Sequence, residues 1–250
     1  MSDQTITEVE APKLNPVQRL VNIFIAPSKT FEDVRRSSGW WVPFIVVCAV
    51  GLLYSFVVIH KVGLPTLVDE TIRQSSRSQD QMANATPEQA AKIRSITGSW
   101  IRGALYSGPV LGFIIGMLTS GVLLATANFG AGGRAKFKSM LGVWFYGTLP
   151  LAVFYLLVIV AIYAGVAGES FNLKNPIGTN IGFYLIGGDL PKAIIPVLSA
   201  IDIFAIWTAV LLTIGVSTVA QIKRGAAAAV VFGWWIVFIL LQTAGAMVGG

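Results

Sequence analysis

The chain has 250 residues, a mean hydropathy of +0.71 and only 12% charged residues. Soluble domains carry about 25% charge, so this balance excludes a soluble globular protein and leaves room for one membrane domain only. The formal charge of +6 does not point to nucleic acid, because the basic residues gather at the ends of apolar stretches, where they set topology and meet anionic lipid.

Residues 1–12 are polar and mixed in charge, and are expected to be disordered. Residues 1–40 carry acids and prolines and lack a leading apolar run, so no cleavable signal peptide is expected. Asn15-Pro16-Val17-Gln18 reads as a helix start: an N-cap acceptor, proline at the first helical position and glutamine at the third. Val17, Leu20, Val21, Phe24 and Ile25 then follow at helical spacing and form one apolar stripe. Pro27 interrupts the stripe, and Phe31 and Val34 continue on a second short helix. Residues 13–40 therefore read as amphipathic helices lying in the membrane interface, with Arg19, Lys29, Arg35 and Arg36 facing lipid. Packing beneath the membrane domain as a foot is the alternative. Trp40-Trp41 marks the water–lipid boundary.

Five apolar stretches follow, at about 41–59, 105–127, 141–166, 194–220 and 226–248. Each has at least the roughly 18 to 20 residues that a helix needs to cross a bilayer core. Only helices satisfy their own backbone groups in lipid, and no alternating barrel pattern is present. The predicted fold is all-α, a polytopic bundle of five transmembrane helices within residues 41–250. Cys48, the single cysteine, lies inside the first stretch, which excludes an intramolecular disulfide and argues against a metal cluster. The external loop 60–104 is predicted to be helical. Pro65 with Leu67, Val68 and Ile72 suggests one helix, Thr86-Pro87-Glu88-Gln89 is a capping box opening another, and the stretch Ser75 to Asn84 between them reads as a polar turn. The irregular segment from Asn172 to Gly188 is expected to re-enter the interface. Lys13, Arg19, Lys29, Arg35, Arg36, Arg134, Lys136, Lys138, Lys223 and Arg224 share one side, which places the amino terminus in the cytoplasm and Gly249–Gly250 outside.

Inside the membrane, Gly108, Gly112, Gly116 and Ser120 recur at every fourth residue. Small residues let helices approach in lipid, so this face is expected to pack within one subunit or between copies. Gly147 and Pro150 should bend the third span. Asp202 is the one charge within the stretches, about eight residues into the fourth, or roughly 12 Å at 1.5 Å per residue. A carboxylate at that depth costs about 2.5 to 3.5 kcal/mol and must be protonated, paired or hydrated. Gln242 and Tyr155 match its depth and complete a candidate intramembrane polar site. That site is either a proton or cation site or a structural hydrogen bond between helices. Phe129-Gly-Ala-Gly-Gly-Arg134 lacks the spacing of a phosphate-binding loop and reads as a turn. His60 stands alone. No nucleophile–base or metal-ligand constellation is present, so no catalytic residue, metal or cofactor is assigned and the protein is expected not to be an enzyme.

Three segments carry a family resemblance. They are Phe24-Ile-Ala-Pro27-Ser-Lys-Thr-Phe31; Gly130-Ala-Gly-Gly133 with Phe137-Lys138 and Tyr146-Gly-Thr-Leu-Pro150; and Ile201-Asp-Ile-Phe204-Ala-Ile-Trp207 leading to Gly215 and Val216. In this order they resemble the bacterial branch of the Yip domain family, named for Ypt/Rab-interacting proteins, over about residues 16–245. The resemblance implies five spans and a cytoplasmic amino terminus. Eukaryotic members bind prenylated Rab-type GTPases and shape membranes. The short amino-terminal tail and long far-side loop here are unlike theirs, so GTPase binding is not carried over. The reading is a non-enzymatic inner-membrane scaffold whose partners are membrane lipids and other membrane proteins or further copies of itself. The alternative is a small permease or ion- or proton-translocating protein built around Asp202.

Overall fold

A computed structural model describes residues 13–165, 171–173, 175–185 and 194–248. The tail 1–12, the terminal Gly249–Gly250 and part of the 172–188 loop lie outside the described residues. Helix α1 (Pro16–Ile25) opens on the expected capping box, with Gln18 N–H donating to Asn15 Oδ1 at 2.8 Å and Asn15 N–H donating to Gln18 Oε1 at 2.9 Å. Pro27 starts α2 (Pro27–Ser37) directly after it.

The first span is α3 (Trp41–Val57), which runs on through a π-helical turn, Val58–Gly63, into α4 (Leu64–Arg73). Its helix therefore extends well beyond residue 59. Together with α5 (Ser76–Ala83) and α6 (Pro87–Tyr106), α4 forms a helical cap over the far side of the bundle. Gly98 of α6 is buried against Val68 and Leu64 of α4. An Arg94–Asp69 ion pair crosses the same junction. The second span is α7 (Gly108–Ala125), prolonged by a π-helical turn, Thr126–Gly130. The third is α8 (Phe137–Gly147) followed by α9 (Leu149–Tyr163); the helix is interrupted at Thr148 (φ −89°, ψ 2°), with Pro150 in the first turn of α9. Helix α10 (Ile181–Leu185) and α11 (Ile194–Ala200) precede α12 (Ile203–Ala220), and α13 (Arg224–Val248) is the fifth span.

Two apolar cores stack along the bundle. One, on the amino-terminal side, joins Ile23, Phe31 and Val34 to α7, α8, α12 and α13. The other, on the far side, joins Tyr54, Val58, Leu67 and Val68 to Val158, Ile162 and Phe171. Helix α2 is docked on the bundle through one face. Its Thr30, Phe31, Asp33 and Val34 are fully buried, and it wedges between α8 and α12. Two glycines admit it: a Cβ on Gly142 would stand 2.7 Å from Val34 Cγ1, and one on Gly215 2.9 Å from Phe31 Cε1. Helix α1 keeps Val17, Val21 and Ile25 exposed while Ile23 is buried.

The small-residue face of α7 is not one continuous seam. Gly116 and Ser120 are packed, and a Cβ on Gly116 would fall 2.9 Å from both Phe145 Cζ and Trp144 Cδ1. A Cβ on Gly108 or Gly112 meets nothing within 4 Å. The reason is geometric: α7 packs on α8 in the amino-terminal half, but beyond Thr148 the third span continues as α9, which packs on α3 instead. Gly116→Leu should therefore cost about 1–3 kcal/mol through overpacking, whereas Gly112→Leu should melt like the parent in detergent. Equal melting of both variants would refute this packing.

Candidate functional site

The fourth span holds the largest departure from expectation. The apolar run 194–220 is not one helix: α11 ends at Ala200, and Asp202 (φ −115°, ψ 138°) is the extended N-cap residue of α12. Asp202 is therefore not a charge on the side of a continuous helix. Aspartate is among the strongest N-cap residues because its oxygen accepts the first free amide protons of the helix. Here Oδ1 accepts from Phe204 N–H at 2.8 Å and Ala205 N–H at 3.0 Å, and Oδ2 accepts from the Thr179 hydroxyl. The Ile203 N–H donates to the Thr179 carbonyl at 3.2 Å, and Asn180 bridges antiparallel to Asp202. The described part of the loop after the third span thus folds back onto the break.

That loop is fastened by its asparagines. Buried Asn175 donates from its amide to Ser199 Oγ at 3.3 Å, and buried Asn180 donates to Asn175 Oδ1 at 2.9 Å. Asn180 Oδ1 in turn accepts from Phe183 N–H at 2.9 Å and so holds the start of α10. Gly182 allows the close approach to Ser199, whose atoms fill the place of any Cβ.

Between α9, α12, α13 and this loop lies a cavity of about 500 Å³. Asp202 and Gln242 both line it, as their matching depth suggested. Tyr155 does not. It stacks on Tyr54, ring centroids 4.7 Å apart, and lines a neighbouring cavity of about 570 Å³ beneath the helical cap, beside Glu70 and Gln74. Leu151, Phe154 and Pro176 form the shared wall of the two. Depth alone could not separate Tyr155 from the other two, because helix rotation, not depth, decides which cavity a side chain meets.

A second polar cluster, on the amino-terminal side, was not anticipated. Arg19, expected to face lipid, is buried: its Nε donates to Asp33 Oδ2 at 2.6 Å, its Nη2 donates to Ser37 Oγ, and its carbonyl accepts from Thr30 Oγ1 at 3.2 Å. Arg36 Nη2 stands 3.6 Å from Asp33 Oδ1. The guanidinium turns inward because Asp33, fully buried on the docked face of α2, needs a cation. Lys29 and Arg35 remain exposed. A clue lay in the sequence, since Asp33 falls in helical phase with Thr30, Val34 and Ser37 on the face that docks. Pro150 is buried at the interruption of the third span. Among the described residues, no group of three or more His, Cys, Asp or Glu side chains stands together.

A model of the Yip1 domain matches residues 21–245. The chain is also similar to the membrane protein YknW of Bacillus subtilis (strain 168), with 27% identity over 228 residues that cover 89% of each chain. No solved structure matches it.

Proposed function

As the chain belongs to the Yip1 domain family of membrane proteins, we propose that it is a non-enzymatic scaffold of a bacterial inner (plasma) membrane that organises lipid or binds other membrane proteins. The observation that carries this reading is the docked amino-terminal hairpin. The α1–α2 pair is held together by the buried Arg19–Asp33 ion pair and docked on α8 and α12 through Phe31 and Val34, and it presents exposed Val17, Val21 and Ile25 together with the exposed bases Lys29 and Arg35. An apolar ridge flanked by bases at a span entrance suits an anionic lipid surface. No GTPase contact is part of the proposal.

The competing reading is a permease or proton carrier using Asp202. Against it stands the filling of the amino-terminal half: Phe31, Val143, Tyr146 and Val216 are fully buried there, beneath the cavity that Asp202 lines. Purified protein in proteoliposomes should therefore pass no more protons or monovalent cations than empty vesicles. A flux that Asp202→Asn abolishes would overturn the scaffold.

The proposed orientation puts the amino terminus, Lys136 and Lys223 in the cytoplasm. In a Cys48→Ala background, Asp80→Cys should react with an impermeant maleimide on intact spheroplasts and Lys136→Cys should not; both positions are exposed. The reverse pattern would invert the topology.

A further inference from the structure

The cavity at the break in the fourth span has a lining whose chemistry names a ligand. Asp202 is the one charged side chain among the described residues that line it. The same cavity is walled by five aromatic side chains from four helices: Trp144 of α8, Phe154 of α9, Phe204 of α12, and Trp235 and Phe238 of α13. Phe154 and Phe204 meet edge to face, ring centroids 5.5 Å apart, and so brace two of these walls against each other. A carboxylate at one end of an aromatic-walled cavity suits an organic ammonium ion, because the charge meets the carboxylate while the ring faces attract the cation's substituents and pack against their carbon.

The dimensions agree on two helices. From Asp202 to Thr208 along α12 and from Gln242 to Trp235 along α13, the lining spans six or seven residues, about 10 Å at 1.5 Å per residue; on the third span it runs from Phe154 past the interruption at Thr148 to Trp144, about 15 Å. The volume of about 500 Å³ falls within the range of roughly 300–1,000 Å³ typical of small-molecule sites. The charged end lies at the break and the inner end is set by Trp144, Thr148 and Trp235, which gives the cavity a polar head and a largely apolar floor. Gln242 adds an exposed amide in the outer part of α13, where an amide facing hydrocarbon is unfavourable unless water or a polar ligand meets it.

We propose that this cavity binds an organic ammonium ion, with the nitrogen beside Asp202 and the apolar part directed toward Trp144 and Trp235. The ammonium group belongs either to the headgroup of a lipid or to a free amphiphilic amine. The site is independent of the scaffold reading, since a scaffold can carry a bound amphiphile without moving it.

The test uses the full-length protein in dodecylmaltoside and benzyltrimethylammonium as probe, followed by isothermal titration calorimetry. The wild type should bind the probe saturably at one site per chain. Asp202→Asn keeps an N-cap residue of nearly equal strength, so the fold should persist, checked by melting temperature, while affinity falls by about tenfold or more. Trp235→Leu, on a different helix, should also weaken binding. The uncharged isostere, with carbon in place of nitrogen, should bind far less well than the probe. Phosphatidylethanolamine or phosphatidylcholine in the micelles should compete with the probe if the ligand is a headgroup, and phosphatidylglycerol should not. Absence of competition by these lipids assigns the site to a free amine. The proposal fails if the wild type shows no saturable binding, if folded Asp202→Asn binds the probe as the wild type does, or if the isostere binds equally well.

Discussion

Replacing Asp33 with alanine is expected to destabilise the protein by about 3–5 kcal/mol, the cost of leaving one member of a buried ion pair without its partner. The residue is fully buried and its Oδ2 receives Arg19 Nε at 2.6 Å. Without it, a guanidinium that is itself nearly inaccessible loses its carboxylate and is left with neutral neighbours such as the Ser37 hydroxyl. Arg19→Met should be comparably damaging, slightly softened because Arg36 stands 3.6 Å from the other Asp33 oxygen and can turn toward it. Removing both charges together, as Arg19→Met with Asp33→Leu, should recover much of the loss, since apolar groups of similar volume need no partner. Exposed Lys29 and Arg35 provide the contrast: alanine at either should change stability by no more than about 0.5 kcal/mol. Thermal melting of the purified variants in one detergent, arranged as a double-mutant cycle, measures all of these. Single variants that melt with the wild type would mean that α2 is not docked in the bundle.

This ion pair also marks the limit of what the chain's pattern discloses. Length and apolarity disclose the five spans, and residues three apart disclose both capping boxes; in the helical cap the pattern marks α4 and α6, but the polar stretch that reads as a turn is α5, capped by Ser75. Gly147 and Pro150 likewise announce the interruption of the third span by backbone chemistry alone. Docking is different. Whether α1–α2 lies on lipid or enters the bundle depends on Gly142 and Gly215, more than 100 residues away in sequence, being small where Val34 and Phe31 arrive. An amphipathic stripe cannot say whether its apolar side meets lipid or protein, and Arg19 was misplaced for that reason. The α7 glycines show the same limit, since Gly108 and Gly112 share a helix face with Gly116 yet face open space. At Asp202 the signal was present but outweighed. An aspartate followed by a long apolar run is a helix start, but the apolar residues on both sides hid the break behind an apparently continuous span.

Gly215→Val is expected to destabilise the protein by loosening the docking of α2. A Cβ at this position would stand 2.6 Å from Val143 Cγ1, 2.9 Å from Phe31 Cε1 and 3.0 Å from Phe31 Cζ, closer than real Cβ atoms come to carbon. The three residues belong to α12, α8 and α2, and Val143 and Phe31 are fully buried, so neither can swing into open space. Overpacking in such a core costs about 1–3 kcal/mol when the backbone can shift. Here α2, which carries Phe31 and connects to the first span through Ser38 and Gly39, is the element that can shift. The strain should therefore be relieved by partial release of α2. Trypsin should then cut faster after Lys29 and Arg35 in Gly215→Val than in the wild type, while the melting temperature falls. Val143→Ala placed in the same background removes the nearest atom and should restore part of both readouts. Gly225→Val and Gly233→Val, where a Cβ meets nothing within 4 Å, should leave both unchanged. If Gly215→Val melts and is cleaved as the wild type is, α2 does not occupy the wedge between α8 and α12. The buried ion pair, which depends on that wedge, would then lose its place as well.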